Sequence, residues 1–139
     1  MNNTELVAYC GLYCGDCPFH RGKIADLARD LRKELRQSGF EKLASVARIK
    51  NYPECYQALG GMVRIRCKKA CRDGGGNPFC KIRLCAREKG YAGCWECETT
   101  GSCKKLSFLA KYHDDAYLKN LGMIKKGGLD KFLTGKRAW

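Results

Sequence analysis

The sequence has no long apolar run and no sign of a secretory leader. A transmembrane helix needs roughly 20 consecutive apolar residues, and no stretch of this 139-residue chain approaches that length. The opening residues, from Met1 to Glu5, contain neither the basic region nor the apolar region that begins a signal peptide. We therefore expect a cytoplasmic protein that does not associate with a membrane.

Motifs for common enzymatic chemistry are also lacking. There are only two histidines, His20 and His113, and neither is accompanied by a recognisable nucleophile or paired carboxylates. The run Gly74-Gly75-Gly76 lacks the Lys-Ser/Thr pair of a phosphate-binding loop, so it is interpreted as a flexible turn. No catalytic residue is assigned and a non-enzymatic role is favoured, although an open position on a bound metal would allow catalysis.

What the sequence does contain is cysteine, eleven residues in all. Two Cys-x2-Cys pairs, Cys14/Cys17 and Cys94/Cys97, have the spacing at which one tight turn directs two sulfurs at one ion. Cytosolic thiols stay reduced and the number is odd, so metal ligation is favoured over a disulfide framework. The predicted metal ligands are the ten clustered cysteines: Cys10, Cys14, Cys17, Cys67, Cys71, Cys80, Cys85, Cys94, Cys97 and Cys103.

Ten cysteines can supply two tetrahedral zinc sites with two sulfurs left over. The same donor set also suits a [4Fe–4S] cluster. The spacing Cys10-x3-Cys14-x2-Cys17 is that of a radical-SAM cluster motif, but Asp16 stands where that motif has an aromatic residue. The chain is also far shorter than the roughly 250 residues of a full β/α barrel. Two structural zinc ions are therefore predicted, with a [4Fe–4S] cluster, and hence an iron–sulfur redox or enzyme-accessory protein, as the alternative.

The spacing also predicts how the cysteines divide between sites. The later ones follow one another closely, across a helix that a glycine should end, so one site should hold Cys85, Cys94, Cys97 and Cys103. The N-terminal pair needs partners from elsewhere, so the second site should hold Cys14, Cys17, Cys67 and Cys71. Cys10 and Cys80 stay open, either as replacements in the second site or as part of a third.

The chain is strongly basic, with a formal net charge of +13. Two divalent ions with four thiolates each would lower it to about +9. Residues 64–89, from Arg64 to Lys89, carry nine lysines and arginines against Asp73 and Glu88. Together with Trp95, which lies in a knuckle turn and could stack on a base, this segment makes an RNA-binding zinc-knuckle module a further alternative.

Apolar periodicity predicts a mainly α-helical fold, a single domain over residues 1–139 with short helices between irregular metal-stabilised loops. Helices are predicted from Lys23 to about Gly39, over 40–49, from Pro53 to Gly60-Gly61, over 77–89, and twice after Cys103 with a break at Gly127-Gly128. In the first helix the inward face should hold Ile24, Leu27, Ala28, Leu31 and Leu35. Residues 62–65 are the only β-like run, and the isolated Cys55 is expected to be a small buried apolar residue.

The run Cys10-Gly11-Leu12-Tyr13-Cys14-Gly15-Asp16-Cys17-Pro18 resembles the opening of an uncharacterised family of small cysteine-rich prokaryotic proteins. The later run Cys80-Lys81-Ile82-Arg83-Leu84-Cys85-Ala86-Arg87-Glu88-Lys89-Gly90, with Cys94, Cys97 and Cys103, resembles its second signature. The likeness covers most of residues 9–106. Residues 99–102 depart from the Tyr-Pro pair expected before the last cysteine, and Cys55 lies outside the pattern. The resemblance implies a cytosolic metal-binding protein of unknown biochemical role.

Overall fold

The computed structural model describes residues 3–139, and over these residues the protein is helical. No strand is formed there, and the β geometry is limited to one antiparallel bridge between Val7 and Tyr13. The α-helices are α1 (Pro18–Arg21), α2 (Lys23–Gln37), α3 (Phe40–Val46), α4 (Tyr52–Arg64), α5 (Lys81–Glu88), α6 (Lys104–Ser107), α7 (Ala110–His113) and α8 (Ala116–Thr134). Short 3₁₀ turns are Asn3–Leu6, Cys71–Asp73, Cys94–Glu96 and Thr100–Ser102. The predicted mainly α-helical class is confirmed.

The chain forms two compact units. The helical unit is Pro18–Cys67, and the cysteine unit combines the chain up to Cys17 with Lys68–Trp139. The grouping of all 139 residues into one domain stays a prediction. Within the described residues no helix is both long enough and apolar enough to cross a membrane.

In the helical unit, α2 packs against α4 through small residues. Ala25 and Ala28 are the buried residues of α2, and Gly60 is the buried residue of α4. The predicted inward face of α2 is therefore only partly right: Ala28 is buried, whereas Ile24, Leu27 and Leu31 are 46%, 57% and 48% exposed. Small side chains let the two helix backbones approach closely, and the larger aliphatic side chains lie outside that contact.

Two predictions for α4 are wrong. The helix runs through Gly60 and Gly61 to Arg64, so neither a stop at the glycines nor a β-like run at 62–65 is present. A Cβ added at Gly60 would lie 3.1 Å from the Arg32 guanidinium carbon, so this glycine provides space for a side chain and does not end the helix. Cys55, expected to be buried, is exposed on α4.

The cysteine unit is built on α8. Its buried residues Tyr117 and Leu121 join a core with Leu12, Ile82 and Leu106, while Ile124 joins a second group with Val7 and Phe132. The predicted break near the end of this helix is confirmed, because Gly128 has φ 76° and interrupts the helical backbone. The chain bends there, and Phe132 is 2% exposed in the second group.

The helix predicted over 77–89 is shorter at its beginning. The Asn77 side chain accepts a hydrogen bond from the Phe79 amide at 2.9 Å, which forms a local turn in place of the first helical turn. Cys80 then occupies the N-cap of α5, and the left-handed Gly90 (φ 68°) follows its end as expected. The sulfur of Cys80 therefore comes from a loop and that of Cys85 from the helix.

Candidate metal centre

The N-terminal Cys-x2-Cys pair lies in a tight turn that is fixed from both sides. The Cys17 amide donates to the Cys14 carbonyl at 3.1 Å, and the Cys14 amide donates to the Leu6 carbonyl at 2.8 Å. Gly11 (φ 85°) is indispensable here, because a Cβ at this position would lie 2.9 Å from Leu121 Cγ of α8. The backbone that leads into this Cys-x2-Cys turn therefore packs closely against α8.

The second Cys-x2-Cys pair is a 3₁₀ turn over Cys94–Glu96, closed by the Cys97 amide donating to the Cys94 carbonyl at 3.1 Å. The Cys94 amide donates in turn to the Tyr9 carbonyl at 2.8 Å. This long-range bond places the residue after Tyr9, Cys10, beside the second knuckle.

The structure thus gathers a larger set of sulfurs than the spacing predicted. Cys10, Cys80, Cys94 and Cys103 are half-buried and pack against the same apolar core. Burial, together with the neighbouring sulfurs of Cys10, Cys103, Cys97 and Cys85, raises the pKa of the Cys94 thiol to about 12. Burial likewise raises the pKa of Cys10 to about 11, and the neighbouring sulfurs of Cys80 and Cys14 add to the effect. We call these six residues the core cysteine group: Cys10, Cys80, Cys85, Cys94, Cys97 and Cys103.

One member of the core cysteine group differs electrostatically from the others. Cys97 is nearer the solvent, and a hydrogen bond with the Thr99 hydroxyl at 3.4 Å lowers the pKa of its thiol. The group therefore combines two thiols with a raised pKa, Cys10 and Cys94, with one on the outer side, Cys97, that ionises more readily.

A further pair of cysteines, Cys14 and Cys71, is joined by a hydrogen bond. The Cys71 amide donates to Cys14 Sγ at 3.3 Å, and Cys14 is only 4% exposed. Hydrogen bonding from the Cys71 side chain lowers the pKa of the Cys14 thiol to about 7, against the opposing effect of burial. The positive charge of Arg72 acts in the same direction as the hydrogen bonds. The Cys14 thiol therefore ionises more readily than an ordinary cysteine thiol. Cys17 lies in the same Cys-x2-Cys turn.

The cysteine-rich part of the chain matches one protein family. Residues 6–108 match the family described as "Protein of unknown function (DUF3795)". The chain belongs to the DUF3795 family. The predicted resemblance is thereby confirmed, and all ten clustered cysteines fall within the matched segment. No curated protein and no solved structure gives a significant match to the chain.

The donor set of this DUF3795 protein suits a thiophilic ion by its chemistry, since zinc and iron–sulfur clusters are both held by cysteine sulfur. Over residues 3–139, no three Cys, His, Asp or Glu side chains converge closely enough to hold an ion as they stand. Of the core cysteine group, Cys85 lies within α5 and the others lie in turns or at helix ends. Cys67, predicted as a partner of Cys71, ends the helical unit, where its amide donates to the Phe19 carbonyl at 3.0 Å.

The loop that joins Cys71 to Cys80 is organised by Arg83, which the sequence did not mark as a site residue. Arg83 is 5% exposed. Its guanidinium donates to four backbone carbonyls: those of Cys71 at 2.8 Å, Gly75 at 3.3 Å, Asn77 at 2.8 Å and Pro78 at 3.0 Å. One side chain of α5 therefore fixes the separation of Cys71 and Cys80. Its position inside the second family signature was the only available signal.

Arginines close to the cysteines serve the fold in similar ways. Arg72 donates to the Val7 carbonyl at 3.1 Å and the Ala92 carbonyl at 2.8 Å, and its guanidinium lies 4.2 Å from the centre of the Tyr9 ring. Arg87 donates to the Arg72 carbonyl. Trp95 packs against both apolar groups of the cysteine unit. Several residues of the predicted RNA-binding segment thus have structural partners, and RNA binding by that segment stays a prediction.

Proposed function

We propose that this protein binds zinc through its cysteines and that the metal is chiefly structural. The observation that carries the proposal is the core cysteine group, in which four cysteines distant in sequence pack against one apolar core and two more, Cys85 and Cys97, lie close enough to Cys94 to raise the pKa of its thiol. Four of them would complete one tetrahedral site. Cys14, Cys17 and Cys71 would contribute to a second.

Electrostatics support this assignment. Metal-bound cysteine is a thiolate, and burial together with neighbouring sulfurs raises the pKa of Cys10 to about 11 and that of Cys94 to about 12. A divalent cation at the same place compensates the charge that burial disfavours. The arginines around the knuckles add a second source of compensation, as Arg72 does for Cys14.

The consequence for folding is direct. The core cysteine group joins the N-terminal knuckle, the beginning of α5, the second knuckle and the residue before α6. A metal ion bound there would link segments that are nearly a hundred residues apart, and its binding free energy would become folding free energy. This role requires no open coordination position and no substrate.

Metal analysis of protein purified without oxygen tests the proposal. We expect about two zinc ions per chain and no visible colour. A broad visible absorption with bound iron and sulfide would instead establish the [4Fe–4S] alternative, which the same four-cysteine donor sets accept.

Cys94→Ser provides the matched structural test, with Cys55→Ser as its control because Cys55 is exposed and outside both cysteine groups. We expect Cys94→Ser to lose zinc and to become insoluble or lose helical circular dichroism, whereas Cys55→Ser keeps both zinc ions. A strong chelator should unfold the wild-type protein at a temperature at which the zinc-bound protein is stable. A chelated protein with full helicity and solubility would contradict the structural role.

A further inference from the structure

The helical unit carries a row of aromatic rings that the cysteine sites do not use. The ring centre of Phe40, at the start of α3, lies 5.7 Å from that of Tyr52 at the start of α4. Tyr52 in turn lies 6.3 Å from Tyr56, one turn further along α4. All three rings are partly exposed. Such a row presents aromatic faces at the surface of a unit whose other buried contacts are made by alanine and glycine.

Two arginines of α2 converge on the same row. Arg36 donates to the Tyr56 hydroxyl at 2.9 Å, and the guanidinium carbon of Arg32 lies 4.3 Å from the centre of the Tyr56 ring. Arg32 Nε is buried and has no hydrogen-bond partner among the described residues. Gly60 leaves the space that this guanidinium occupies. The cations are thus held beside the rings by α4.

The charge of these two arginines is not cancelled by carboxylates of the unit. Asp26 pairs with Arg29 and Arg66, and Asp30 pairs with Arg29. No ion pair to Arg32 or Arg36 is formed within residues 3–139. The helical unit as a whole has eleven lysines and arginines against five aspartates and glutamates. An anionic partner therefore meets a basic surface with free guanidinium donors.

An open cleft of about 460 Å³ lies between these groups. Its walls include Leu35 and Arg36 of α2, Gly39, Glu41 of α3, and Tyr52 and Tyr56 of α4. Aromatic surface, a guanidinium and one carboxylate thus line a single recess. A planar base can stack on an aromatic ring, an arginine can bind the adjoining phosphate, and a carboxylate can accept from an exocyclic amine.

We propose that this arginine–tyrosine cleft, lined by Arg36, Tyr52 and Tyr56, binds single-stranded nucleic acid. A base stacks on Tyr52 and the neighbouring phosphate binds Arg36, while Arg32 supports the Tyr56 ring. This surface belongs to the helical unit, uses none of the ten clustered cysteines and does not depend on the identity of the metal. It also differs from the segment 64–89 and Trp95, where several side chains already have structural partners.

Fluorescence anisotropy with the full-length metal-loaded protein tests the proposal. The probe is a labelled, unstructured RNA of roughly 12 nucleotides, within the usual site size for such proteins. Tyr52→Leu removes the ring but keeps an apolar side chain against Phe40, and we expect it to weaken binding by about 5- to 150-fold. Tyr52→Phe keeps the ring and should bind like the wild type.

The phosphate contact is tested by Arg36→Gln. Its matched control is Lys23→Gln, which removes one positive charge from the other end of α2, roughly 20 Å away along the helix. Between about 50 and 200 mM salt, Arg36→Gln should reduce the slope of log affinity against log salt by about 0.7, the value for one phosphate contact on a single strand. Lys23→Gln should leave the affinity and the slope close to those of the wild type.

Three results would overturn the proposal. One is an equal loss of affinity in Arg36→Gln and Lys23→Gln, which indicates general attraction between a basic protein and a polyanion. Another is ultraviolet cross-linking of the RNA to the cysteine unit without cross-links in the tryptic peptide of residues 51–64. The third is competition by AMP at the same concentration as the RNA, which indicates a mononucleotide site. Should Tyr52→Leu lose its helical signal, the comparison of Arg36→Gln with Lys23→Gln decides the outcome.

Discussion

Replacement of Arg83 by methionine should destabilise the cysteine unit more than any loss of surface charge. Arg83→Met keeps the length and the apolar stem of the side chain but removes all of its donors. Four carbonyls of the loop from Cys71 to Pro78 then lose their partner. Because the site is nearly closed to solvent, water cannot replace the guanidinium without rearrangement of the loop.

The magnitude follows from the bonds. Three of the four donor–acceptor distances are between 2.8 and 3.0 Å, and the fourth, to Gly75, is longer at 3.3 Å. At about 1.5 kcal/mol for a hydrogen bond that involves a charged group, the three shorter bonds correspond to about 4.5 kcal/mol. A loss of that size is a large part of the roughly 5–15 kcal/mol by which small domains are stable.

Urea denaturation followed by helical circular dichroism measures this loss, with Lys81→Met as the matched control because Lys81 is exposed at the start of the same helix. Arg83→Lys should be intermediate, since one ammonium group cannot span four carbonyls. We also expect Arg83→Met to retain less zinc, because the loop sets the separation of Cys71 and Cys80. A free energy of unfolding within about 1 kcal/mol of the control would show that the network contributes only modestly.

Two further predictions concern the chain end and pH. Asn120 is fully buried, and its side chain forms hydrogen bonds with both the amide and the carbonyl of Ala138 at 2.9 Å. Asn120→Leu should therefore expose the C-terminal residues to trypsin and lower the free energy of unfolding by about 2–3 kcal/mol. Unchanged cleavage after Arg137 would contradict this. In metal-free protein, Cys10 and Cys94 keep their protons to a higher pH when folded than when unfolded, so stability should fall as pH rises above about 9. A series of thermal melts of the metal-free wild-type protein at increasing pH should show that decline, and a melting temperature that stays constant above pH about 9 would contradict it.

Local features of the cysteine sites were readable from the sequence because they depend on few neighbouring residues. A Cys-x2-Cys turn is closed by a hydrogen bond between its own ends, as at Cys14/Cys17 and Cys94/Cys97. The same is true of backbone positions that favour glycine, such as Gly90 after α5 and Gly128 within α8. Family membership also follows from the linear pattern of the signatures.

Which cysteines become neighbours depended on contacts between distant residues. The spacing left Cys10 open, and the bond from the Cys94 amide to the Tyr9 carbonyl places it beside the second knuckle. In the sequence, Arg83 is one of nine basic residues in the segment 64–89. Its structural role arises because the loop from Cys71 to Pro78 folds over its guanidinium.

Which side chains of α2 are buried also depends on packing against distant residues. Its periodicity correctly predicts a helix, but a pattern of apolar residues does not specify which of them faces a neighbour. The close approach of α2 to α4 at Gly60 buries Ala25 and Ala28 and leaves Leu27 and its aliphatic neighbours outside. Sequence thus determined the turns, helices and donor chemistry through local backbone preferences, whereas packing between distant segments decided which side chains are buried and which sulfurs adjoin.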